Sequence, residues 1–227
     1  NREHKYDAAI EKALSILENA IREDGVLTAG VCKEAETELL CMQEEAKAYE
    51  VLYVAHAHID MNWMWSWDET VATTIATFKT MLKLMEEYPD YHFSQSQAAT
   101  YKIIEDYAPQ MMPEMQKRMK EGKWEVLAST WVEADQNLPC TESFLNQILY
   151  AKKYLKEHWD IDPVSLNIDF TPDTFGHTAF LPDIDTLGGI KYMYQCRGMG
   201  DNSKQLYRYK SPSGKELLAF REPFWYS

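Results

Sequence analysis

The sequence lacks an apolar run of the roughly 18–20 residues that a membrane-spanning helix requires, and it lacks a signal-peptide pattern. Basic residues are outnumbered: 23 lysines and arginines stand against 36 aspartates and glutamates, for a formal net charge of −13. Such a chain is repelled by phosphate backbones and by anionic lipid headgroups. Neither a nucleic acid nor a membrane is therefore an expected partner.

Cysteine is also scarce. The four cysteines, Cys32, Cys41, Cys140 and Cys196, stand too far apart in the sequence for a thiolate metal site. Their even number would permit two disulfides, but the spacing does not require them. We predict a reducing, cytoplasmic setting, and a homo-oligomer is compatible with the sequence.

The chain has ample material for a packed core. It has 227 residues, of which 45% are hydrophobic and 13% aromatic, enough for one sizeable domain or one and a half. Residues 4–49 carry apolar side chains at helical spacing, which predicts two helices separated near Asp24-Gly25. We interpret residues 1–50 as an N-terminal helical segment. The continuous apolar run at 51–55 then predicts a strand that is buried on both faces.

Strands alternate with helices from that point on. This alternation predicts an α/β fold built on a parallel sheet, either open or closed into a barrel. We assign this domain to residues 51–227, and its last residues, 221–227, look like a cut through a domain still in progress. The predicted strands are 51–55, 92–94, 124–128, 165–169, 192–196, 206–210 and 216–221, and the predicted helices are 68–87, 97–120, 141–158 and 180–187.

The string His56-Ala57-His58-Ile59-Asp60 directly follows the first predicted strand. In parallel β/α folds, functional residues gather on the loops that leave the carboxyl ends of strands. Alternate residues of an extended segment point to the same side, so these side chains can converge. Imidazole nitrogen and carboxylate oxygen are both zinc ligands. The string therefore predicts a metal site.

Asp173 lies in a constrained turn after another predicted strand, between Pro172 and Gly176. A carboxylate held in this way could ligate a metal, attack a substrate carbon or cap a helix, and local spacing does not choose among these roles. Asp169, Asp183 and Asp185 are weaker candidates because nothing local constrains them as tightly. Trp63 could stack on a sugar ring.

Several strings, taken in order along the chain, resemble glycoside hydrolase family 38, the α-mannosidases. They keep the family's order and approximate spacing from residue 51 to about residue 200, and the cytosolic and bacterial branch is the closer likeness. The strings are His56-Ala57-His58-Ile59-Asp60 with Trp63, Gly122-Lys123-Trp124-Glu125, Trp131-Val132-Glu133, Asn137-Leu138-Pro139 with Glu142-Ser143, and Pro172-Asp173-Thr174-Phe175-Gly176.

The resemblance implies a parallel, seven-stranded β/α barrel as the catalytic domain, of which residues 51–227 would be the first part. It implies one zinc ion bound by His58, Asp60 and Asp173, with Asp173 also acting as the nucleophile. The family's fourth ligand, a histidine, and its general acid/base aspartate are expected beyond this segment. The segment alone is therefore expected to be inactive.

The resemblance also implies a substrate site. Trp63 and Phe175 match aromatic positions that line the family's sugar subsite, and Arg197 matches an arginine that hydrogen-bonds near the nucleophile. His56 is expected to orient the ligands without binding the metal. The implied activity is a retaining α-mannosidase. It would release terminal α-linked mannose from oligosaccharides through a covalent mannosyl-enzyme, while zinc binds the sugar hydroxyls.

Two other classes of protein compete with this hypothesis. A metal-dependent carbohydrate deacetylase uses Asp and His ligands on a similar barrel, but it would need a His-x-x-x-His pair, which this sequence lacks. A non-catalytic carbohydrate-binding module would need neither the metal ligands at a strand end nor the constrained Asp173.

Overall fold

The computed structural model describes residues 4–50, 53–198 and 204–223. The chain divides into two compact units, one up to Tyr53 and one from Val54 onward. Within the described residues, no helix combines the length and the apolar character needed to cross a membrane. The helices are α1 (Asp7–Asp24), α2 (Ala29–Leu39), α3 (Gln43–Lys47), α4 (Trp67–Glu87), α5 (Ala98–Tyr107), α6 (Met112–Lys120), α7 (Thr141–Trp159) and α8 (Leu181–Leu187), and the strands are β1 (Ala55–His56), β2 (Phe93–Gln97), β3 (Trp124–Thr130), β4 (Ile168–Thr171), β5 (Tyr192–Gln195), β6 (Leu206–Lys210) and β7 (Glu216–Arg221).

The first unit is helical, and its first helix ends where the sequence predicts. Gly25 adopts the left-handed conformation with φ of 70°, and its N–H donates to the carbonyl of Ile21. Glycine is favoured there because it has no Cβ to strain the backbone. The small side chains Ala13, Ala20 and Ala35 are buried where α1 packs against α2.

The second unit contains two β-sheets and the helices that connect their strands. The first sheet has the strand order β1-β2-β3, and all of its strands are parallel. The second has the order β4-β5-β7-β6, in which only β6 runs antiparallel to its neighbour. This confirms an α/β fold with parallel strands. In the described residues the strands form these two separate sheets, and hydrogen bonds do not close them into one barrel.

The first strand of this unit is shorter than predicted. The structure forms β1 at Ala55–His56 alone, and the predicted positions 51 and 52 lie outside the described residues. Tyr53 and Val54 are 91% and 73% exposed, so the expected burial on both faces is wrong for these two residues. Both residues precede β1, and only Ala55 and His56 pair with β2, so the sheet does not include Tyr53 and Val54.

Several other element boundaries differ from prediction; β2, for example, runs to Gln97 and not only to residue 94. The predicted helix 97–120 is split into α5 and α6 by a short 3-10 turn at Pro109–Met111, because proline has no N–H to continue the helical ladder. The predicted strand 165–169 begins later, at Ile168. A turn occupies its first residues, in which the carbonyl of Asp162 accepts from the Ser165 N–H at 3.0 Å.

Thr141 has a side chain suited to an N-cap, but helix α7 already begins at this residue. The N-cap position is taken by Cys140, which makes no side-chain capping bond. The helix then continues through Trp159, close to the predicted end.

Aromatic side chains fill the core beside the first sheet. Phe78, Phe93 and Trp124 pack edge to face, with ring centroids 4.8 to 6.2 Å apart. The indole Nε1 of Trp124 donates to the hydroxyl of Tyr101 at 3.0 Å, which satisfies both polar groups in the interior. This core fixes β2 and β3 side by side, so the loops at their carboxyl ends lie together.

A pair of buried carboxyl groups lies between β4 and α8. Asp169 and Asp185 are both fully buried, and the Gln136 amide donates to Asp169 at 2.6 Å. Burial raises the pKa of Asp169 to about 7. Burial, and then the charge of Asp169, raises the pKa of Asp185 well above its usual range. Two buried carboxylates that repel each other ionise together only at a high cost, so one of the pair favours its protonated form.

This pair predicts a decline of stability with pH. An unfolded aspartate has a pKa of about 3.9, so a raised folded pKa favours the folded state at low pH, and that stability is lost as the pH rises through about 7. The variant Asp185→Asn should flatten this decline, so thermal melting should show a larger gain over the wild type at pH 8 than at pH 5. The control Asp183→Asn, on the same helix, should keep the decline. Parallel pH curves for Asp185→Asn and the wild type would contradict the assignment.

Candidate metal centre and active site

The loops that follow β1, β3, β4 and β5 meet at one cavity of about 490 Å³. A volume of this order is typical of sites for small ligands. Because β1 is parallel to β2 and β3, and β4 to β5, the carboxyl ends of neighbouring strands share one edge in each sheet. The cavity is lined by His58, Asp60, Trp63, Glu133, Asp135, Asp173, Thr174, Phe175 and Arg197.

Three side chains in this cavity form a candidate metal centre. His58, Asp60 and Asp173 each offer a ligand atom, and these atoms all lie within 4.8 Å of one another. His58 Nε2 is 3.1 Å from Asp60 Oδ1 and 3.7 Å from Asp173 Oδ2. Ligands of one tetrahedral zinc ion, with bonds of about 2.0–2.2 Å, stand roughly 3.3–3.6 Å apart. The residues therefore fit a zinc-sized cation, with a coordination position left for another ligand.

The segment that carries His58 and Asp60 is fastened to the neighbouring strand. The side-chain amide of Gln95 donates to the carbonyl of Ala57 at 3.0 Å, and that of Gln97 donates to the carbonyl of Ile59 at 2.7 Å. Both glutamines are buried on β2. Alternate carbonyls of the segment thus face β2, which holds the two ligands in an extended arrangement.

His58 is surrounded by carboxylates. Its Nδ1 lies 2.8 Å from Glu133 Oε2, and its Nε2 faces Asp60 and Asp173. Burial opposes the charged imidazolium, but the hydrogen bond and charge of Glu133, followed by those of Asp60, outweigh it and raise the pKa of His58 to about 9. A bound cation would replace the proton on Nε2, because ligands bind metals in their deprotonated form.

The two oxygens of Asp173 have different neighbours. Oδ1 lies 2.5 Å from both Nε and Nη2 of Arg197, and Oδ2 faces His58 at 3.7 Å. The backbone N–H of Asp173 donates to Glu133 Oε1 at 2.6 Å. The arginine thus holds this carboxylate by two charge-assisted contacts from its guanidinium.

Two aromatic rings stand exposed at the cavity. Trp63 is 67% exposed and packs edge-on against Trp65 at 5.7 Å. Phe175 is 74% exposed, and the guanidinium of Arg197 lies 4.8 Å from its ring centroid. Exposed ring faces are suited to stacking on a sugar. Trp65 instead donates from Nε1 to the Thr70 hydroxyl at 3.0 Å, which gives it a packing role.

His56 lies outside the set of residues that line the cavity. Its Nε2 is 2.9 Å from the hydroxyl of Ser96, and its ring lies 4.5 Å from that of Phe170. Burial, and then the charge of His58, lowers the pKa of His56 to about 3, so this imidazole is neutral at physiological pH. Such a position suits a residue that supports the ligands without binding the metal.

The sequence interpretation assigned no role to three of the cavity residues, Glu133, Asp135 and Thr174. Glu133 belongs to the string Trp131-Val132-Glu133, which is part of the family resemblance. Its position after a predicted strand was the only local signal of a function. The glutamines that fasten the ligand segment were also missed, although the pattern Gln95-Ser96-Gln97 has the strand period that places both side chains on one face.

These features define a β/α domain with a candidate metal-binding pocket at the carboxyl ends of its strands. The model of the glycosyl hydrolases family 38 N-terminal domain matches residues 48–226. The chain therefore belongs to glycoside hydrolase family 38, and it corresponds to the N-terminal domain of that family.

Individual relatives agree with this assignment. The chain is 32% identical over 157 residues to α-mannosidase G of Dictyostelium discoideum, an alignment that covers 69% of this chain and 14% of that protein. It is 26% identical over 194 residues to the α-mannosidase of Saccharomyces cerevisiae, covering 79% of this chain and 18% of that protein. The chain thus spans less than a fifth of either relative.

Solved structures show the same fold. The crystal structure of an α-mannosidase from Enterococcus faecalis superposes with a TM-score of 0.68 and 21% identity, covering 77% of this chain and 20% of that one. A 4-α-glucanotransferase from Thermococcus litoralis superposes with a TM-score of 0.55 and 15% identity, covering 74% and 26% respectively. At these identities the likeness shows the fold alone.

The ligand geometry predicts a stabilisation by zinc that depends on Asp60. Zinc at about one hundred times its Kd should stabilise the metal-free protein by about 2.7 kcal/mol, because it binds only the folded site. Asp60→Ala should lose most of this gain, whereas the exposed Asp90→Ala, outside the cavity, should retain it. Thermal melts with and without zinc measure the difference. An equal zinc-induced shift of the melting temperature in the wild type and in both variants would show that the ion binds at another site.

Proposed function

We propose that the chain carries the metal-binding part of a zinc-dependent, retaining α-mannosidase active site. The observation that carries the proposal is the convergence of His58, Asp60 and Asp173 in one cavity, with Arg197 on the far oxygen of Asp173. Family membership and the curated α-mannosidase relatives supply the substrate class. A bound zinc ion would accept the 2- and 3-hydroxyls of mannose, which are cis on this sugar, and so favour it over other hexoses.

The protein groups supply the rest of the first chemical step. Asp173 attacks the anomeric carbon, and a bond forms between its carboxylate oxygen and that carbon while the glycosidic bond breaks. The departing oxygen takes a proton from a general acid, which we expect outside this chain. Water then cleaves the mannosyl ester and restores Asp173, with net retention at the anomeric carbon. Trp63 and Phe175 present their exposed faces to the sugar ring.

Several finer features belong to the same proposal. In the whole enzyme the two sheets would be completed into the seven-stranded β/α barrel that the family resemblance implies, with the fourth metal ligand supplied by a later histidine. The substrate would be a terminal α-linked mannose on an oligosaccharide, and the protein would be cytoplasmic. A carbohydrate deacetylase would instead need a water nucleophile and no ester on Asp173.

The nucleophile assignment predicts the effect of Asp173→Asn in the whole enzyme. Turnover of an activated α-mannoside should fall by more than about a thousandfold, since losses of this order or larger follow removal of a catalytic nucleophile. The control Asp106→Asn, which alters an exposed ion pair with Lys102 on α5, should leave turnover close to that of the wild type.

A second measurement separates the two roles of Asp173. A slow fluorinated α-mannosyl fluoride should accumulate a covalent adduct on the wild-type enzyme, and peptide mass spectrometry should locate it at Asp173. Metal analysis of Asp173→Asn then shows how much of its loss comes from a missing ion. Near-normal turnover in that variant, or an adduct on another residue, would overturn the assignment.

A further inference from the structure

Glu133 lies between the two halves of the candidate metal centre. Its side chain is only 4% exposed. One carboxylate oxygen, Oε1, accepts from the backbone N–H of Asp173 at 2.6 Å and from the hydroxyl of Thr174 at 3.1 Å. The other, Oε2, lies 2.8 Å from Nδ1 of His58. A single buried carboxylate therefore contacts both the β1 loop and the β4 loop.

The contact with His58 determines which of its nitrogens can bind a metal. A carboxylate oxygen only accepts hydrogen bonds, so the ring nitrogen that faces Glu133 carries the proton. A proton on Nδ1 leaves the lone pair of Nε2 for a cation. Nε2 is the nitrogen that faces Asp60 and Asp173. Glu133 thus favours the one imidazole tautomer that suits the site.

The contacts with Asp173 and Thr174 fix the turn that carries the third ligand. The single proton of the Thr174 hydroxyl is shared between Glu133 Oε1 at 3.1 Å and the carbonyl of Ala134 at 3.2 Å. Together with the Asp173 N–H, it ties the turn to the loop after β3. The two loops also approach closely at Gly176, where an added Cβ would meet the end of the Asn137 side chain and that side chain would have to move.

Glu133 is itself held in place from β2. Its backbone N–H donates to Gln97 Oε1 at 3.0 Å, and the amide nitrogen of the same Gln97 donates to the carbonyl of Ile59 at 2.7 Å. One buried glutamine therefore sets the position of Glu133 relative to the segment that carries His58 and Asp60. The carboxylate cannot shift towards one partner without losing the other.

We propose that Glu133 is a positioning residue that keeps the proton of His58 on Nδ1 and fixes the Asp173 turn, so that both ligands reach one cation. The inference rests on the proposed zinc-dependent function and deepens it. Glu133 acts through His58 and Asp173 and touches neither the cation nor the reacting atoms.

A glutamine at position 133 could hydrogen-bond correctly to only one of the two partners, His58 or the Asp173 turn. If its oxygen faces Asp173, its amide donors face His58 and favour the proton on Nε2, the wrong tautomer. If its oxygen faces His58, its donors meet the N–H of Asp173 and release the turn. Replacing a carboxylate that orients a metal-binding histidine typically lowers metal affinity about 10- to 100-fold.

The experiment compares Glu133→Gln with the control Glu125→Gln in the whole enzyme. Glu125 is an exposed residue on β3, the strand that precedes Glu133. The control therefore makes the same chemical change away from the site. Zinc affinity by chelator competition should fall about 10- to 100-fold in Glu133→Gln and stay unchanged in the control. The kcat should fall more than KM rises, because the nucleophile is displaced while the sugar stack remains.

Hydrogen exchange gives a readout that needs neither zinc nor turnover. Mass spectrometry of the peptide that spans residues 168–177 should show faster exchange in metal-free Glu133→Gln than in the wild type and the control. Thr174→Val, which removes only the hydroxyl donor, should speed exchange in this peptide with a smaller loss of zinc affinity. It serves as the second variant should Glu133→Gln fail to fold.

The outcomes separate this inference from the function on which it rests. A wild type that binds zinc and cleaves α-mannosides, with unchanged zinc affinity and unchanged exchange in folded Glu133→Gln, would overturn the role of Glu133 alone. A wild type without zinc or turnover would overturn the proposed function. In that case faster exchange in Glu133→Gln would still support the tether on Asp173, and equal exchange would contradict it.

Discussion

The buried carboxylate of Glu133 joins a loop that lies 75 residues before it in the sequence to one that lies 40 residues after it. It meets the Asp173 N–H at 2.6 Å and His58 Nδ1 at 2.8 Å, while Gln97 holds its backbone and that of Ile59 to β2. Burial makes these bonds strong and their loss expensive, since a stranded charge in the interior finds no water. These links fix the loops after β1, β3 and β4 to one another and to β2, and they shape this side of the cavity.

The charge of the cavity also favours a bound cation. Four carboxylates line it, those of Asp60, Glu133, Asp135 and Asp173, against one guanidinium from Arg197. Without another cation, His58 takes a proton and its pKa rises to about 9. A divalent ion at the three ligand atoms would supply the missing positive charge more effectively than a proton does. The charge distribution and the ligand distances thus favour the same occupant.

Local sequence signals predicted much of this arrangement. The alternation of His58 and Asp60 after a strand, and the constrained turn at Asp173, are features of a few neighbouring residues. The role of Glu133 was not predictable in this way, because it depends on contacts 40 residues away. The grouping of strands into two sheets is equally non-local. Pro109, by contrast, was a local signal for the helix break that the predicted single helix 97–120 overlooked.

Anomalous diffraction from crystals of the whole enzyme, collected above and below the zinc absorption edge, would show whether His58, Asp60 and Asp173 bind one zinc ion. We expect a zinc peak about 2.0–2.2 Å from His58 Nε2 and from one oxygen each of Asp60 and Asp173. A peak bound elsewhere, or this cavity without zinc in an active enzyme, would contradict it.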